Sequence, residues 1–561
     1  MIETTNTDHV ASDRGPVHTK GTDAHVLLSS VFGPYARDDA YGSRAINPME
    51  LYHNQVTREQ RAFSLRIHNR SFGLMLIQAN IRAACTLLDF PSLGRFVEEI
   101  TARHYDVVGI SSIMVNLAKV QKMCQLVRQH LPSASIVVGG HIANLSDLDT
   151  KIDADHIVRG EGVRWMRRFL GEDEDRPIRH PHVPAGIGAR AMGIGIRRKR
   201  GEEPAILIPS VGCPVGCNFC STSAMFGGKG KHIDFYRTGE ELFDVMSELE
   251  KAMHVRSFFV LDENFLLYRR RALRLLELMV EHDKSWELYV FSSAKTLCTY
   301  TMEQIVGLGI TWAWIGLEGQ DSRYGKVRGI DTRQLVRTLQ SHGICVLGST
   351  IIGLEEHTPE NIEAAIDVAI GHDAEFHQFM LYTPVPGTPL HAEHRERGTL
   401  LDPSMCSVAD AHGQHKFNFR HPHIRDGQET EFLLRAFRRD YTVNGPSIVR
   451  MARTLLRGWR RYKDHPDERI RRRFAWSARE LPVVFASALW AARRWFRSNP
   501  ALSKSISGVL QDIQQEFGLK SRLFAPLAGR YVGLMLAREE RRLQRGWTYE
   551  PPTFYETKPQ H

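Results

Sequence analysis

Short apolar runs alternate with stretches of helical periodicity twice along this chain, and that alternation restricts the fold more than any other feature. In the first passage HVLLSS, ACTLLDF, DVVGISS, ASIVVGG and DHIVRG read as strands, with PSLGRFVEEITARH and NLAKVQKMCQLVRQHL between them carrying apolar residues at helical spacing. Strand–helix alternation predicts a doubly wound, Rossmann-like parallel sheet, in an α/β class whose ligands sit beyond the carboxyl ends of the strands. Those ends carry Ser111 and Ser112, then Gly139, Gly140 and His141, then Gly160, Glu161 and Gly162. The second passage supplies AILIPSV, SFFVLDEN, ELYVFSS, TWAWIGLE, CVLGSTIIG and FHQFMLYT, separated by helical segments. Six such repeats predict a partial (β/α)6 barrel of TIM type, with its working loops at the carboxyl ends of the strands.

At 561 residues the chain calls for more than one hydrophobic core. The expected divisions are a polar, disordered tail over 1–24, the first sheet over 25–170 and a linker rich in Pro, Gly and Arg over 171–203. The barrel then occupies 204–400 and a helical region 401–561. That last region is Arg-rich, is broken at Gly445-Pro446, His465-Pro466 and Asn499-Pro500, and ends in a polar, Pro-rich tail.

Eight cysteines in so long a chain are too sparse for a disulfide scaffold, and MIETTNTDHVASDRG lacks the apolar run of a secretory signal, so a reducing cytoplasm is expected. The run PVVFASALWAA, 482–492, falls short of the roughly 20 residues that span a bilayer. The net charge of +9 is concentrated in RRKR, 197–200, and in helical patterns after residue 434. Such runs read as solvated helix faces, or as a peripheral contact with an anionic membrane or substrate; a nucleic-acid partner is not expected.

The stretch VGCPVGCNFCST, 211–222, places Cys213, Cys217 and Cys220 in CxxxCxxC spacing behind the first strand of the second passage. Zinc would need a fourth ligand nearby and a redox dithiol only a CxxC; Gly212, Pro214 and Gly216 mark a tight loop rather than packed core. Three thiolates holding a four-iron, four-sulfur cluster leave one iron open to an outside ligand. In this motif the chain resembles the radical S-adenosylmethionine enzymes over about 204–395. The resemblance implies that S-adenosylmethionine chelates the open iron and is cleaved to a 5′-deoxyadenosyl radical, with an electron donor such as flavodoxin or ferredoxin.

Other landmarks carry the same resemblance. Phe219 matches the aromatic position before the last cysteine. Asp262 and Glu263, in LDEN, resemble the acidic pair that holds the methionine amino group, and Glu318, in WIGLEG, the carboxylate offered to the ribose. Ile351, Gly353 and Glu356, in STIIGLEE, match a GxIxGxxE adenine motif in which Ser349 replaces the first glycine. For each acidic residue a helix cap or a surface carboxylate is the alternative. PVPGTPL, 384–390, reads as a structural turn.

The first sheet resembles the cobalamin-binding domain of cobalamin-dependent radical enzymes, over about 25–170. Its small strand-end residues alone would admit a dinucleotide or phosphate equally well. The DxHxxG motif of a lower cobalt ligand is absent, since DAHVLL, 23–28, lacks the glycine and precedes the first strand, so no histidine on cobalt is expected. His141 is either a corrin contact or a structural histidine. The two resemblances together imply C-methylation of an unactivated carbon on a small or lipid-like metabolite, with one S-adenosylmethionine methylating cobalt and a second generating the radical. The alternatives are cobalamin-assisted cyclisation or rearrangement, and a non-catalytic cobalamin sensor. Trp312, Trp314, Trp459, Trp490 and Trp495 suit an apolar substrate or a helical core, and HGQHKFNFRHPH, 412–423, a lid or an exposed loop. Cys85, Cys124, Cys298, Cys345 and Cys406 read as small buried residues.

Overall fold

A computed structural model describes residues 17–33, 40–43, 54–196, 199, 201–317, 329–547 and 553–560. Most of the expected disordered tail, 1–16, lies outside these residues, as do 197, 198 and 200 of the basic run and Glu318. The rest of that tail, from Val17, is tied down: His18 N donates to Phe169 O at 2.7 Å and Lys20 Nζ reaches Asp106 at 2.7 Å.

The first sheet has Val26–Ser30 (β1) at its centre, flanked in parallel by Cys85–Asp89 (β2) and Val107–Ser111 (β3), then Ser135–Gly139 (β4) and His156–Ile157 (β5). β1 is buried along its whole length, the pattern of a parallel strand covered on both faces. The register sets Ser111 beside Gly139, so two of the expected ligand positions end their strands at one level.

The second sheet runs in chain order: Ala205–Leu207 (β6), Ser257–Val260 (β7), Glu287–Phe291 (β8), Ile310–Gly316 (β9), Cys345–Ile352 (β10) and Phe376–Leu381 (β11), all parallel. Among the described residues β6 and β11 do not pair, so this sheet is open. Alternation decides its two faces. Phe258, Val260, Leu288, Val290, Ala313 and Ile315 are buried in one cluster with Leu242, Leu275 and Val336 of the covering helices. Phe259, Phe291, Trp312 and Trp314 project from the other side and remain half-buried. They form an aromatic wall, with ring centroids 5.7 Å apart for Phe259–Phe291, 4.7 Å for Phe291–Trp314 and 5.0 Å for Trp312–Phe376. Of the five isolated cysteines, Cys298 is exposed rather than buried, because it follows the short helix Ala294–Leu297 at the surface.

Between the sheets, the stretch expected as a linker contains Ile187–Ala191 and Ile194–Gly195, which form a three-stranded antiparallel sheet with Arg66–His68. These strands have no apolar alternation to betray them, and their partner lies far upstream.

The helical region breaks where expected, into helices such as Gln428–Asn444, Ser447–Tyr462, Glu468–Ala478, Pro500–Phe517 and Leu519–Gln544. Its arginines are less solvated than charge alone suggests. Arg450 is fully buried, bonds Asp440 at 2.9 and 3.1 Å and donates to Ala374 O at 2.6 Å. Arg469 donates to Gly307 O at 3.1 Å and Arg473 to Val306 O, two cations at the carboxyl end of helix Met302–Gly307. Trp490 is also core here, packed against Gly529.

Part of the polar C-terminal tail is a strand. Phe554–Lys558 (β12) pairs antiparallel with β2 and closes the outer edge of the first sheet. Arg70 lies 4.4 Å from the Phe554 ring, Tyr555 Oη donates to Glu99 at 3.2 Å, and Lys558 Nζ donates to Gln78 O and Ile81 O at 3.0 and 2.9 Å. A chain ending at Trp547 should therefore melt several degrees lower, with the loss in the first domain. Hydrogen exchange of 85–89 should rise while exchange of 345–352 is unchanged.

Candidate active site between the two sheets

The cysteine loop follows β6 at the carboxyl end of the second sheet. Gly212 and Gly216 have φ of +86° and +68°, and a Cβ on Gly216 would lie 2.5 Å from the Lys229 backbone, so this reversal accepts only glycine there. Cys220 N donates to Cys217 O at 3.0 Å and Ser223 Oγ to Cys213 O at 2.8 Å, fixing the three cysteines on one short frame. None of the three is in a disulfide, and all lie at intermediate depth. Burial pushes the Cys213 thiol up to about 11, reinforced by its neighbours Cys220, Cys217 and Glu263. Among the described residues no three His, Cys, Asp or Glu side chains converge on a point that would hold a single ion. Three thiols spread along one loop fit a polynuclear cluster, where each takes a different corner.

The acidic pair at the end of β7 divides into two roles. Asp262 is buried and committed: it accepts from Arg271 Nη2 at 2.5 Å, Ser210 Oγ at 2.7 Å and Asn264 N at 3.1 Å. Glu263 is less committed: its Oε2 is buried with no hydrogen-bond partner among the described residues. Burial raises its pKa to about 7, with the Asp262 charge adding to the shift and the Gly212 N–H opposing it. A buried, unpartnered carboxylate oxygen beside Cys213 suits an ammonium group on a ligand. The arrangement therefore fits a cluster on the three cysteines with an amine-bearing ligand against Glu263.

β9 and β10 contribute differently from the pattern of the sequence. Glu318 lies outside the described residues. Ile351 is half-buried and packs with Phe219 against one apolar cluster, and Gly353, at φ +72°, touches Phe417 so closely that a Cβ would meet the ring at 2.4 Å. Glu356 is exposed, its backbone oxygen accepts from Asn361 at 3.0 Å, and among the described residues no hydrogen bond or ion pair holds its carboxylate inward. Ser349 braces the sheet instead of opening space for a ligand. It accepts from Trp314 Nε1 at 2.7 Å and donates to Gln378 Oε1 at 2.9 Å, and Gln378 Nε2 reaches Gln55 at 2.5 Å. This run of hydrogen bonds crosses the concave face. Its one signal in the sequence is the hydroxyl where a glycine was expected. The histidine-rich segment packs along the β11 edge, with Leu381 N donating to Gly413 O at 2.8 Å and Phe417 and Phe419 buried.

In the first sheet, Gly140 (φ +83°) passes so close to Ser111 and Ser112 that a Cβ would lie 2.6 Å from Ser112 O and 2.9 Å from Ser111 Oγ. Gly139, Gly140 and Gly160, the last at φ +89°, leave the strand ends without side chains. His141 opens a short turn, His141–Asn144, its ring makes no hydrogen bond among the described residues, and its pKa is lowered by burial. Glu161 is the N-cap of helix Gly162–Phe169, accepting from Val163 N and from Arg164 N, the latter at 2.9 Å. Its carboxylate is thus occupied by the helix.

The two halves meet at these loops. Asn144 Nδ2 lies 3.5 Å from Ser221 O, immediately after Cys220, and Gly160 faces Met225 O. PVPGTPL links both sides: Leu390 N donates to Asn218 O of the cysteine loop at 3.0 Å, and Gly387 lies against Asn144, which a Cβ would meet at 2.8 Å. The glycine-lined end of the first sheet is thereby held beside the cysteine loop. Asn144, Asn218 and Gly387 were hidden in the sequence because their role depends on a contact between distant segments.

Comparison with known proteins agrees with this division. The B12 binding domain model matches residues 68–170 and the Radical SAM superfamily model residues 207–369. The chain is 32% identical to an uncharacterized methyltransferase of Pyrococcus horikoshii, covering 54% of this chain and 72% of the relative. It is 26% identical to the bacteriochlorophyllide d C-12(1)-methyltransferase of Chlorobaculum tepidum, over 52% of this chain and 66% of the relative. It is also 22% identical to the anaerobic magnesium-protoporphyrin IX monomethyl ester cyclase of Rubrivivax gelatinosus, over 54% and 61% respectively.

Replacing Gly216 by Ala should block assembly of the cysteine loop around a cluster: reconstituted protein should hold less than about a third of the wild-type iron and sulfide, while far-UV circular dichroism is unchanged.

Proposed function

Because this chain belongs to the radical S-adenosylmethionine superfamily and carries a B12-binding domain ahead of the radical domain, we propose that it is a C-methyltransferase acting on an unactivated carbon of a small or lipid-like metabolite. Its cofactors are a four-iron, four-sulfur cluster, S-adenosylmethionine and cobalamin. When bound, the cluster with S-adenosylmethionine supplies a 5′-deoxyadenosyl radical, and cobalamin carries the methyl group.

The observation that carries this reading is the seam itself: Asn144, Ser221, Asn218 and Gly387 press the glycine-lined end of one sheet onto the loop bearing Cys213, Cys217 and Cys220. A methyl carrier is useful only where a substrate radical is made, so the two sites must adjoin. Cys213, Cys217 and Cys220 would hold the cluster. Glu263 would accept the methionine ammonium, while Asp262 keeps the loop in place through Arg271. Ile351 and Gly353 would border the adenine, and a ribose contact through Glu318 is part of the same reading. Ser111, Ser112, Gly139, Gly140 and Gly160 would leave room for the corrin and its tail, with His141 beside it. The aromatic wall would give an apolar substrate a matching surface on the concave face. An external one-electron donor such as flavodoxin or ferredoxin completes the reading.

Cyclisation is the second reading, and the likeness to the Rubrivivax cyclase favours it. Production of 5′-deoxyadenosine together with S-adenosylhomocysteine in equal amounts supports methylation. Deoxyadenosine without S-adenosylhomocysteine, and a product of unchanged carbon count, supports cyclisation.

Changing Cys213, Cys217 or Cys220 to Ala should abolish 5′-deoxyadenosine formation and leave cobalamin binding, read by its visible spectrum, within about twofold of wild type. Glu263→Gln should raise the KM for S-adenosylmethionine by roughly tenfold, the ~1.4 kcal/mol expected when a charge-assisted hydrogen bond becomes neutral, with cluster content unchanged.

A further inference from the structure

The last long helix, Leu519–Gln544, has apolar residues on two opposite sides. Ser521, Ala525, Gly529, Val532 and Leu536 face the rest of the protein and are buried. On the outer side Leu519 is 73% exposed, Leu523 60%, Phe524 48%, Leu527 63%, Tyr531 56% and Leu534 70%. Steps of four and three residues keep Leu519, Leu523, Leu527, Tyr531 and Leu534 on one stripe about 22 Å long. Val484, 52% exposed, lies on the short helix Leu481–Phe485, which packs against this one. A soluble surface scatters such residues singly; here they are contiguous.

The charges around this stripe have one sign. Lys520, Arg522, Arg530, Arg538 and Arg541 are exposed along the helix. Its acidic residues are turned inward and neutralised: Glu539 is bound by Arg190 at 2.6 Å and Glu540 by Arg61. The outer face therefore presents leucines, aromatics and cations. A second copy of the chain would bring like charges together, which disfavours self-association through this face. No helix among the described residues is long and apolar enough to cross a membrane.

We propose that the outer face of helix Leu519–Gln544 lies on an anionic lipid surface, with Leu519, Leu523, Phe524, Leu527 and Leu534 entering the boundary between headgroups and acyl chains and Arg522, Arg530 and Arg538 meeting lipid phosphates. An interfacial helix needs this pairing of an apolar stripe with flanking cations. The face is remote in sequence from the cysteine loop, and the proposal does not rest on the methyl-transfer reading, because vesicle binding is measured without turnover.

The test is co-sedimentation of the full chain with vesicles of phosphatidylcholine, with and without a third of phosphatidylglycerol. Wild type should partition onto the anionic vesicles at least about tenfold more strongly than onto neutral ones, and salt should weaken this binding. Leu523→Asn, Leu527→Asn and Leu534→Asn together should remove binding to both, and Arg522→Gln, Arg530→Gln and Arg538→Gln together should remove only the preference for anionic vesicles. Both variants should keep the wild-type melting temperature, since every substituted side chain is exposed. Failure of wild type to bind, or binding that survives the leucine changes, overturns the proposal. So does a dimer of the wild type that the leucine variant converts to monomer while vesicle binding is absent.

Discussion

Everything at this site depends on one property of parallel sheets: the carboxyl ends of all their strands lie at the same edge, so loops from distant parts of the chain gather there without further instruction. The chain uses that property twice and sets the two edges against each other. What remains to be supplied is adhesion between the edges, and a few short-range contacts provide it. Asn144 reaches the backbone after Cys220, Leu390 binds the backbone of Asn218, and Gly387 allows the approach that any larger residue would prevent.

Within that frame, polar and apolar groups are kept apart. Asp262 and Arg271 form a buried pair, and Ser210 and Asn264 fill the remaining hydrogen-bonding positions of Asp262, which holds the loop that follows β7. Glu263 next to it has no such partner, and the contrast between neighbours distinguishes a supporting carboxylate from one poised for a ligand. Across the concave face, aromatic rings lie beside a polar thread that runs from Trp314 through Ser349 and Gln378 to Gln55.

Much of this was legible because the underlying signals are local. Strand–helix alternation, the spacing of Cys213, Cys217 and Cys220, and the helix breaks at Gly445-Pro446 and Asn499-Pro500 each involve neighbours in sequence. The parts that escaped depend on long-range pairing. Ile187–Ala191 and Phe554–Lys558 have charged, non-alternating sequences that become strands only because Arg66–His68 and β2 offer them an edge. The arginines of the helical region look like solvent-facing charge, yet Arg450, Arg469 and Arg473 are buried because carbonyl groups at the ends of other elements await them. Asp262 and Glu263 were indistinguishable as a pair of letters; Arg271, nine residues on, separates them.

The strand Phe554–Lys558 has a consequence for how the protein is made. It is translated after every other described element, yet it completes the sheet that begins at Val26. Until it emerges from the ribosome, β2 presents an unpaired edge, and the first domain waits, incomplete, through the synthesis of the second sheet and the helices. Maturation is therefore ordered by topology. The sheet whose other strands are translated first is finished last.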